Sequence, residues 1–494
     1  MKIENFAGMD LSSIKKVYVI GIKGSGVIAV VEILHSMGIE ISGSDTAEKF
    51  FTDSILKRLE IPYFEKFSAR HVPADADLII YSTAYNENNN VELDHARKNH
   101  LPLISYPEVL ATLFNQKWGL AVCGTHGKTT TSGWLANTLL ECGLDPQAAI
   151  GSKVVNWGGN ALSGKGEYFV AETDEYQNKL SLYEPKGVIL TSCDWDHPDY
   201  FETFAGYKKV FKDFVERIPK AGFLVVFGDS TDTLEVSDSC LADVRTYGFN
   251  EDCDFQITDC RLEIAKEDHL SRTEIDSPSA ERFNLKNQAS GDKFTQDFEV
   301  VFKNNSLGKF QIQLPGKHNI LNATAVIAVC HKLQLDMEQV REALKKFRGT
   351  ARRFEYVGKR NGAILIDDYG HHPEEIKATL RAAREIYPEK NIWAIFHPHT
   401  FTRTKALLSE FSQSFGDTNK VLILDIYGSA RETQGGVHSE DLVKLINKYD
   451  YSKAEYVPTI GQAVEYLKDK IGPEDVVITI GAGNVWEVAE DLKR

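Results

Sequence analysis

The sequence predicts an α/β protein of three domains, each built on a mainly parallel sheet covered by helices. Three observations lead to this class. Short apolar runs alternate with amphipathic helical runs along most of the 494 residues. Two of the apolar runs continue into glycine-rich turns that open a helix. A chain of this length also divides into several domains instead of forming one core.

The first predicted domain covers residues 1–117 and is Rossmann-like. Its strands are predicted at Val17–Ile22, Ile39–Ser42, Leu78–Tyr81 and Leu101–Ser105. Helical runs separate them, and this alternation is typical of βαβ units in a doubly wound parallel sheet.

The second predicted domain covers residues 118–348 and carries a strand–loop–helix of the P-loop ATPase type. Its strands are predicted at Trp118–Cys123, Tyr168–Ala171, Gly187–Ser192 and Phe223–Phe227, followed by short alternating segments at Asp254–Ile257, Phe298–Phe302 and Phe310–Leu314 and a helix at Asn319–Leu333. A polar insertion at about 271–293 is predicted to be a loop.

The third predicted domain covers residues 349–494 and is again Rossmann-like. Its strands are predicted at Ala363–Asp367, Ile392–Phe396, Lys420–Leu424 and Val476–Ile480. Helical runs between them favour a second doubly wound parallel sheet.

Composition narrows the class of function. The net charge of −15 argues against a nucleic-acid partner, which requires a basic face. No apolar run reaches the length of a membrane span, and the first residues lack the pattern of a signal peptide. The seven cysteines form no C-x-x-C pair, so neither a disulfide framework nor a zinc site is expected. We therefore expect a cytoplasmic protein without a membrane partner.

The most informative stretch follows the strand at Trp118–Cys123 and opens a helix. It consists of Gly124, Thr125, His126, Gly127, Lys128, Thr129 and Thr130. Freed backbone N–H groups and the helix N-terminus can cradle a triphosphate, Lys128 can reach its β- and γ-phosphates, and Thr129 can bind Mg²⁺. Position 122 is Val where a standard Walker A loop has its first glycine, so this is a shorter loop.

Carboxylates follow two later strands of the same domain. Glu172 ends one of them, beside Asp174 and Glu175, and is expected to hold Mg²⁺; a solvated strand end is the alternative. His197 lies in the acidic segment after the next strand. Because Mg²⁺ prefers oxygen ligands, these residues alone leave open whether His197 binds the metal.

A second glycine cluster follows the first strand of the chain. It contains Gly21, Lys23, Gly24, Ser25 and Gly26, with Asp45, Ser82 and Thr83 at the ends of later strands of the same predicted sheet. The spacing is G-x-x-G-x-G and not the G-x-G-x-x-G of dinucleotide-binding proteins. It favours the diphosphate of a nucleotide sugar at the helix N-terminus, and a plain strand–helix turn is the alternative.

Three further groups are candidates in the last part of the chain. His318, Asn319 and Asn322 open a helix, where asparagines could contact an adenine edge or merely cap the helix. Arg352 and Arg353 at a predicted domain border could clamp a phosphate, although such a pair is usually a surface feature. Asp368, His371 and His372 follow a predicted strand and favour a ligand-binding role, and Arg403 belongs to a weaker cluster with His397 and His399.

The order of these motifs resembles the Mur ligase family of peptidoglycan synthesis. The motifs are G-T-H-G-K-T-T, A-E-x-D-E, D-H-x-D, H-N-x-x-N-A, R-R-F, D-D-Y-G-H-H-P and a late G-A-G-N, and the resemblance runs from Val17 to Glu487. It implies a UDP-sugar domain, a central ATPase domain and a domain for the incoming amine. Within the family the chain resembles the branch that adds L-alanine to UDP-N-acetylmuramate.

The resemblance also implies roles for the candidate residues. Thr129 and Glu172 would hold one Mg²⁺ and His197 a second, while Lys128, Arg352 and Arg353 would neutralise the migrating phosphoryl group. His318, Asn319 and Asn322 fall at the adenine site and Asp368 near the ribose. His371, His372 and Arg403 fall where the third domain meets substrate, and His126 and Asn160 fall at the substrate site.

The implied reaction consumes ATP with Mg²⁺ and forms an amide through an acyl phosphate. The expected enzyme is a monomer or a weak homodimer. Lys23 departs from the family's first glycine loop and could either contact the diphosphate or block close backbone approach. The Asp174–Tyr176 form resembles the sister branch that attaches a recycled tripeptide. A nucleotide-binding protein that has lost ligation is the remaining alternative.

Overall fold

The computed structural model describes residues 13–265, 293–428, 432 and 435–494. The chain forms two compact units. The first unit comprises the residues up to Asp194 together with Phe204–Gln256 and Thr324–Thr350, and the second comprises Trp195–Thr203, Ile257–Ala323 and Ala351–Arg494. The predicted insertion at about 271–293 lies outside the described residues, except for its last residue.

The first unit begins with a five-stranded parallel sheet in the order β3-β2-β1-β4-β5. Its elements are β1 (Lys16–Ile20), α1 (Ser25–Ser36), β2 (Glu40–Ser44), α2 (Asp53–Arg58), β3 (Tyr63–Phe64), β4 (Leu78–Tyr81), α3 (Val91–Lys98), β5 (Leu103–Ser105) and α4 (Tyr106–Asn115). The apolar runs form strands because both faces are covered, and Val17 to Ile20 are fully buried. The predicted Rossmann-like sheet is confirmed, with the two-residue β3 as an additional edge strand.

Within this unit, seven neighbouring strands of the second sheet have the order β12-β11-β10-β6-β9-β7-β8. Its elements are β6 (Trp118–Cys123), α5 (Lys128–Glu141), β7 (Gln147–Val154), β8 (Gly159–Ser163), β9 (Tyr168–Glu172), β10 (Gly187–Leu190), α6 (Phe204–Val215), β11 (Phe223–Phe227), α7 (Thr231–Ser237) and β12 (Asp243–Gly248). All neighbours are parallel except the β7–β8 hairpin. α5 is buried along most of its length, so the loop before it is held by the core.

Further elements follow β12 along the chain. They are β13 (Phe255–Ala265), the antiparallel hairpin β14 (Lys293–Phe302) and β15 (Asn305–Ile312), α8 (Lys317–Lys332) and α9 (Met337–Lys346). The hairpin belongs to the second unit and α9 to the first. Where the sequence predicts short alternating segments, the structure has longer strands, because a hairpin extends pairing beyond the apolar residues.

The second unit contains a six-stranded sheet in the order β16-β17-β21-β18-β19-β20. Its elements are β16 (Glu355–Arg360), β17 (Ala363–Asp368), α10 (Pro373–Ile386), β18 (Asn391–Phe396), α11 (Phe401–Ala406), α12 (Leu408–Ser412), β19 (Lys420–Ile423), α13 (Ser439–Tyr449), β20 (Ala454–Tyr456), α14 (Ile460–Leu467), β21 (Asp475–Ile480) and α15 (Trp486–Lys493). Only β16 runs antiparallel to its neighbour.

The predicted α/β class is confirmed in each of the three sheets. Loops that leave the carboxyl ends of parallel strands gather at one edge of a sheet, so polar residues at these ends can form a site. Within the described ranges, no helix has the length and apolar character to cross a bilayer.

Candidate active site

The loop between β6 and α5 has the backbone that its glycines predict. Gly124 and Gly127 have φ values of +123° and +78°, a region that disfavours other residues. A Cβ on Gly124 would lie 2.4 Å from Thr191 Oγ1, so this position also admits no side chain. α5 begins at Lys128, and the N–H groups of its first turn therefore face the loop. This arrangement suits a bound phosphate.

Lys128 lies across the loop and is held by three acceptors. Its Nζ donates to the carbonyl oxygen of Gly124, to that of Thr125 at 3.2 Å and to Glu175 Oε2 at 3.2 Å. Burial alone would lower the pKa of Lys128, but Glu175, Asp174 and Glu172 raise it above its ordinary value. The side chain is therefore a permanent cation at the place where phosphate is expected.

Thr129 and Glu172 form a pair of oxygen ligands beside the loop. Thr129 Oγ1 donates to Glu172 Oε1 at 2.8 Å, and Glu172 Oε2 accepts from the backbone N–H of Gly151 at 2.6 Å. A hydroxyl and a carboxylate oxygen are the donors that Mg²⁺ prefers, so these residues fit the predicted ion. A bound Mg²⁺ would supply positive charge to the phosphoryl oxygens.

The rest of the loop is fixed by the end of β10. The N–H of His126 donates to Ser192 Oγ at 2.8 Å, and its carbonyl accepts from Thr191 Oγ1. His126 Nε2 lies 3.6 Å from Asp194 Oδ2. Thr130 is buried in the first turn of α5. The structure thus brings together all seven predicted residues of this loop.

The sequence prediction omitted two residues of this site, Glu175 and Tyr207. Tyr207 Oη donates to Glu175 Oε1 at 2.8 Å and lies 2.9 Å from Thr125 Oγ1. Glu175 was visible in the sequence as one of three neighbouring carboxylates. Tyr207 gave no signal, because it occupies an ordinary apolar position of α6 far along the chain.

The first glycine loop joins β1 to α1 and brings its predicted residues together. Gly21 has φ +79°, and a Cβ there would lie 2.7 Å from Ser82 Cβ, so Ser82 packs directly on the loop. Asp45 Oδ2 accepts from the N–H of Lys23 at 2.7 Å. Gly24 precedes α1 as its N-cap residue. The loop, the end of β2 and the end of β4 therefore share one edge, with Thr83 half-buried beside Ser82.

The side chain of Lys23 bonds to the segment that follows β2. Its Nζ donates to the carbonyl oxygens of Thr46 and Glu48 at 3.0 Å each and lies 3.2 Å from Asp53 Oδ1. Lys23 is only 2% exposed. The ammonium is used inside the fold, and this argues against both the predicted contact with a diphosphate and a blocking role. Only its backbone N–H lies at the loop.

Asn160 of β8 contacts the first turn of α1. Its Nδ2 donates to the carbonyl oxygens of Ser25 at 3.3 Å and Ile150 at 3.1 Å, and its N–H donates to Glu32 Oε2 at 2.6 Å. Its Oδ1 is buried and has no hydrogen-bond partner within the described part of the chain. Asn160 therefore reaches the helix that opens at the first glycine loop.

In the second unit the two predicted arginines have different surroundings. Arg352 donates to Asp367 Oδ2 at 2.8 Å and to the carbonyl oxygens of Gly481 at 2.7 Å and Gly483 at 2.9 Å. These contacts engage its guanidinium inside the fold, which argues against the predicted role as a phosphate clamp. Arg353 is more exposed, and its Nη1 lies 3.5 Å from Glu375 Oε1.

The D-D-Y-G-H-H-P segment ends β17 and opens α10. Asp368 accepts from the N–H groups of Phe354 at 2.9 Å and Gly370 at 2.7 Å, and burial raises its pKa to about 6 although Arg353 opposes the rise. Burial lowers the pKa of His371 to about 4, so its imidazole is neutral near pH 7.

His372 has a structural position in the same segment. It is the N-cap of α10, where its Nδ1 accepts from the N–H of Glu374 at 3.4 Å. Pro373 follows at the first helical position, which favours a sharp helix start. The cap explains this histidine without the predicted ligand-binding role.

His197 and Arg403 meet at Asp196. Arg403 Nε donates to Asp196 Oδ1 at 2.9 Å, and His197 Nε2 lies 3.7 Å from Asp196 Oδ2. Burial alone would raise the pKa of Asp196, but Arg403 and the neighbouring histidines hold it well below its usual range. His197 has φ +54°, a conformation that is uncommon for histidine and often occurs at functional sites.

His318, Asn319 and Asn322 lie together in the first turn of α8. Asn319 Nδ2 donates to the carbonyl oxygen of Pro315 at 2.7 Å and lies 3.1 Å from His318 Nε2, and Asn322 Nδ2 donates to Asn319 Oδ1 at 3.1 Å. Burial lowers the pKa of His318 to about 4. The three side chains form one chain of hydrogen bonds, in which Asn319 fixes the turn and is not a simple helix cap.

Three models of Mur ligase domains match successive segments of the chain. The family's catalytic domain matches residues 16–118, the middle domain 122–330 and the glutamate ligase domain 352–483. A relative from Desulfitobacterium hafniense (strain Y51), named UDP-N-acetylmuramate–L-alanine ligase, is 38% identical over 96% of this chain and 99% of its own. The chain belongs to the Mur ligase family.

Solved structures show the same fold over nearly the full length. The UDP-N-acetylmuramate–alanine ligase MurC of Thermotoga maritima covers 97% of this chain and 98% of its own, with a TM-score of 0.78 and 24% identity. The murein peptide ligase of Psychrobacter arcticus 273-4 has the same coverage, a TM-score of 0.70 and 20% identity. Both branches considered for this Mur ligase therefore have its fold.

Proposed function

We propose that this Mur ligase joins L-alanine to the carboxylate of UDP-N-acetylmuramate, with hydrolysis of ATP to ADP and phosphate. The observation that carries the proposal is the Lys128, Thr129 and Glu172 arrangement, in a chain that aligns end to end with a relative named for this activity. Such an arrangement binds a nucleotide triphosphate with Mg²⁺.

The proposed reaction has two steps. The muramoyl carboxylate attacks the γ-phosphorus, which forms an acyl phosphate and releases ADP. The amino group then attacks the acyl carbon, loses a proton and displaces inorganic phosphate to leave the amide. Lys128 stabilises charge on the phosphoryl oxygens during the first step. Arg353 is the better candidate of the two arginines for a similar task, because the guanidinium of Arg352 is already engaged.

We also propose a division of labour along the chain. Residues 1–117 bind the UDP-sugar at the first glycine loop, and residues 118–348 bind ATP, with one Mg²⁺ held by Thr129 and Glu172 and a second held by His197. Residues 349–494 bind L-alanine beside His371 and Arg403. His318, Asn319, Asn322 and Asp368 are assigned to the nucleoside of ATP. We place the enzyme in the cytoplasm as a monomer or weak homodimer.

A second candidate activity is the attachment of a recycled tripeptide to UDP-N-acetylmuramate. It is favoured by the Asp174-Glu175-Tyr176 sequence, in which Lys179 Nζ and the N–H of Tyr176 both donate to Asp174. The amine pocket separates the two activities, since only the tripeptide ligase must admit a long substrate.

One experiment decides between these activities. Phosphate release is measured with Mg-ATP and UDP-N-acetylmuramate, and either L-alanine or the tripeptide is added. Release with L-alanine alone supports the proposal, and release with the tripeptide alone supports the second candidate. No release with either amine would mean that the chain keeps the nucleotide site without ligation.

A further inference from the structure

Glu175 and Tyr207 are buried polar residues of the first unit that the proposed steps do not use. Both are 0% exposed. Glu175 divides its carboxylate between two partners, with Oε2 at 3.2 Å from Lys128 Nζ and Oε1 at 2.8 Å from Tyr207 Oη. Tyr207 Oη lies 2.9 Å from Thr125 Oγ1, which donates to the carbonyl oxygen of Asp194 at 2.8 Å. The carboxylate is thus fixed from both sides.

The ammonium of Lys128 has as many acceptors around it as it has N–H donors. An ammonium group has three N–H donors, and the three acceptors around Lys128 Nζ are two carbonyl oxygens of the loop and Glu175. A phosphate oxygen can therefore bind this ammonium only by replacing or sharing one of them. The full negative charge of Glu175 makes it the strongest competitor, because charge-assisted hydrogen bonds exceed neutral ones.

We propose that Glu175 is a positioning residue that competes with nucleotide phosphate for the Lys128 ammonium and thereby promotes release of ADP. Tyr207 holds the Glu175 carboxylate in this place. The inference rests on the proposed function, because it assigns a nucleotide to the loop. When phosphate leaves, Glu175 recaptures Lys128, so the buried carboxylate and the partly buried cation are not left unpaired.

The Glu175 carboxylate also acts on the phosphate directly. A fixed carboxylate beside the loop repels an approaching phosphate, while Lys128 attracts it. Removing the Glu175 charge while keeping an acceptor for Tyr207 should therefore tighten nucleotide binding. A residue with a merely structural role would have the opposite effect, since disturbing the loop weakens binding.

The test is Glu175→Gln, with ADP binding measured by calorimetry in the presence of Mg²⁺. We expect the Kd for ADP to fall about tenfold and ADP release, followed by stopped flow with a fluorescent ADP, to slow correspondingly. The KM for ATP and kcat should both fall, because product release becomes slower. Tyr207→Phe should change the ADP affinity in the same direction by about threefold, since it frees the carboxylate without removing it.

Glu216→Gln is the matched control, because Glu216 is an exposed carboxylate just after α6, and it should leave the Kd for ADP unchanged. Unchanged or weaker ADP binding in a folded Glu175→Gln or Tyr207→Phe protein overturns the inference. Thermal unfolding and UDP-sugar binding report folding for both variants. The readout is ADP affinity, so a protein that fails to ligate either amine but shows the tighter affinity refutes the proposed function and not this inference.

Discussion

The two glycine loops of the first unit have the same plan but use their lysines differently. Each loop follows a buried parallel strand and opens a helix, and each contains a lysine. Lys128 is the first residue of α5, and its ammonium returns over the loop to Gly124 and Thr125. Lys23 lies before the start of α1 at Ser25, and its ammonium leaves the loop for the segment after β2.

This difference shows that a lysine in a glycine loop does not by itself make a phosphate site. Position relative to the helix start decides where the ammonium can reach, because side chains of the first turn point back towards the N-terminus. Lys128 therefore keeps its ammonium over its own loop. Lys23 instead stabilises the loop that carries Asp45, whose carboxylate in turn fixes the backbone of the first glycine loop.

The largest effect should come from Lys128→Ala. We expect kcat to fall by about a thousandfold or more, because the main cation at the phosphate loop is lost. Binding of UDP-N-acetylmuramate, measured by calorimetry, should stay within about twofold, since its loop is separate. If a folded Lys128→Ala protein lost both turnover and UDP-N-acetylmuramate binding, the division of roles between the two loops would be contradicted.

Glu172→Gln should have the next largest effect and should also be confined to the second loop. The amide keeps an acceptor for Thr129 and loses the charge for Mg²⁺, so the Mg²⁺ concentration at half-maximal rate should rise about tenfold. Steady-state rates over a magnesium titration measure this. A change in the KM for the UDP-sugar of similar size would show that the loops are coupled.

Lys23→Met tests the first loop and should act through folding. The methionine keeps the apolar part of the side chain but leaves Asp53 and two carbonyl groups without the ammonium, so we expect a loss of about 2 kcal/mol in the free energy of unfolding. Denaturant unfolding measures the loss. The KM for the UDP-sugar should rise and the KM for ATP should not; an unchanged fold with lost sugar binding would restore Lys23 as a ligand.

Asn160→Ala should give the smallest effect. It removes the hydrogen bond to the carbonyl of Ser25 at the start of α1, and we expect the KM for the UDP-sugar to rise about threefold. Asn156→Ala is a suitable control, because Asn156 is close in sequence but bonds to the carbonyl of Lys346. Equal effects from both variants would mean that Asn160 only supports the β7–β8 hairpin.

The sequence predicted the buried strands better than the partly exposed ones. The strands at Leu78–Tyr81, Trp118–Cys123 and Phe223–Phe227 match at both ends, because strands buried on both faces form continuous apolar runs. The hairpin strands β7 and β8 were not predicted, since polar and glycine residues interrupt them. β7 pairs with β8 across a turn and with β9 on its other side, and the sequence alone does not show these pairings.

The residues of the candidate site also fall into two groups, those that the sequence could predict and those that it could not. Residues within one loop, such as Gly124 to Thr130, could be predicted because strand, glycines and helix start are local signals. Partners such as Tyr207 could not, since only folding places α6 against the loop. The internal use of Lys23 and Arg352 was also hidden, because a sequence shows a charge but not its partner.

The buried pair of Asp196 and Arg403 limits how the chain can be divided into fragments or chimeras. Residues Trp195–Thr203 come shortly after β10 in sequence, yet they belong to the same compact unit as Ala351–Arg494. A fragment that stops before 351 keeps the Asp196 carboxylate and loses the guanidinium 2.9 Å from it. Chimeras between related ligases should therefore exchange 195–203 together with the carboxyl-terminal part, even though a domain border drawn along the sequence would separate them.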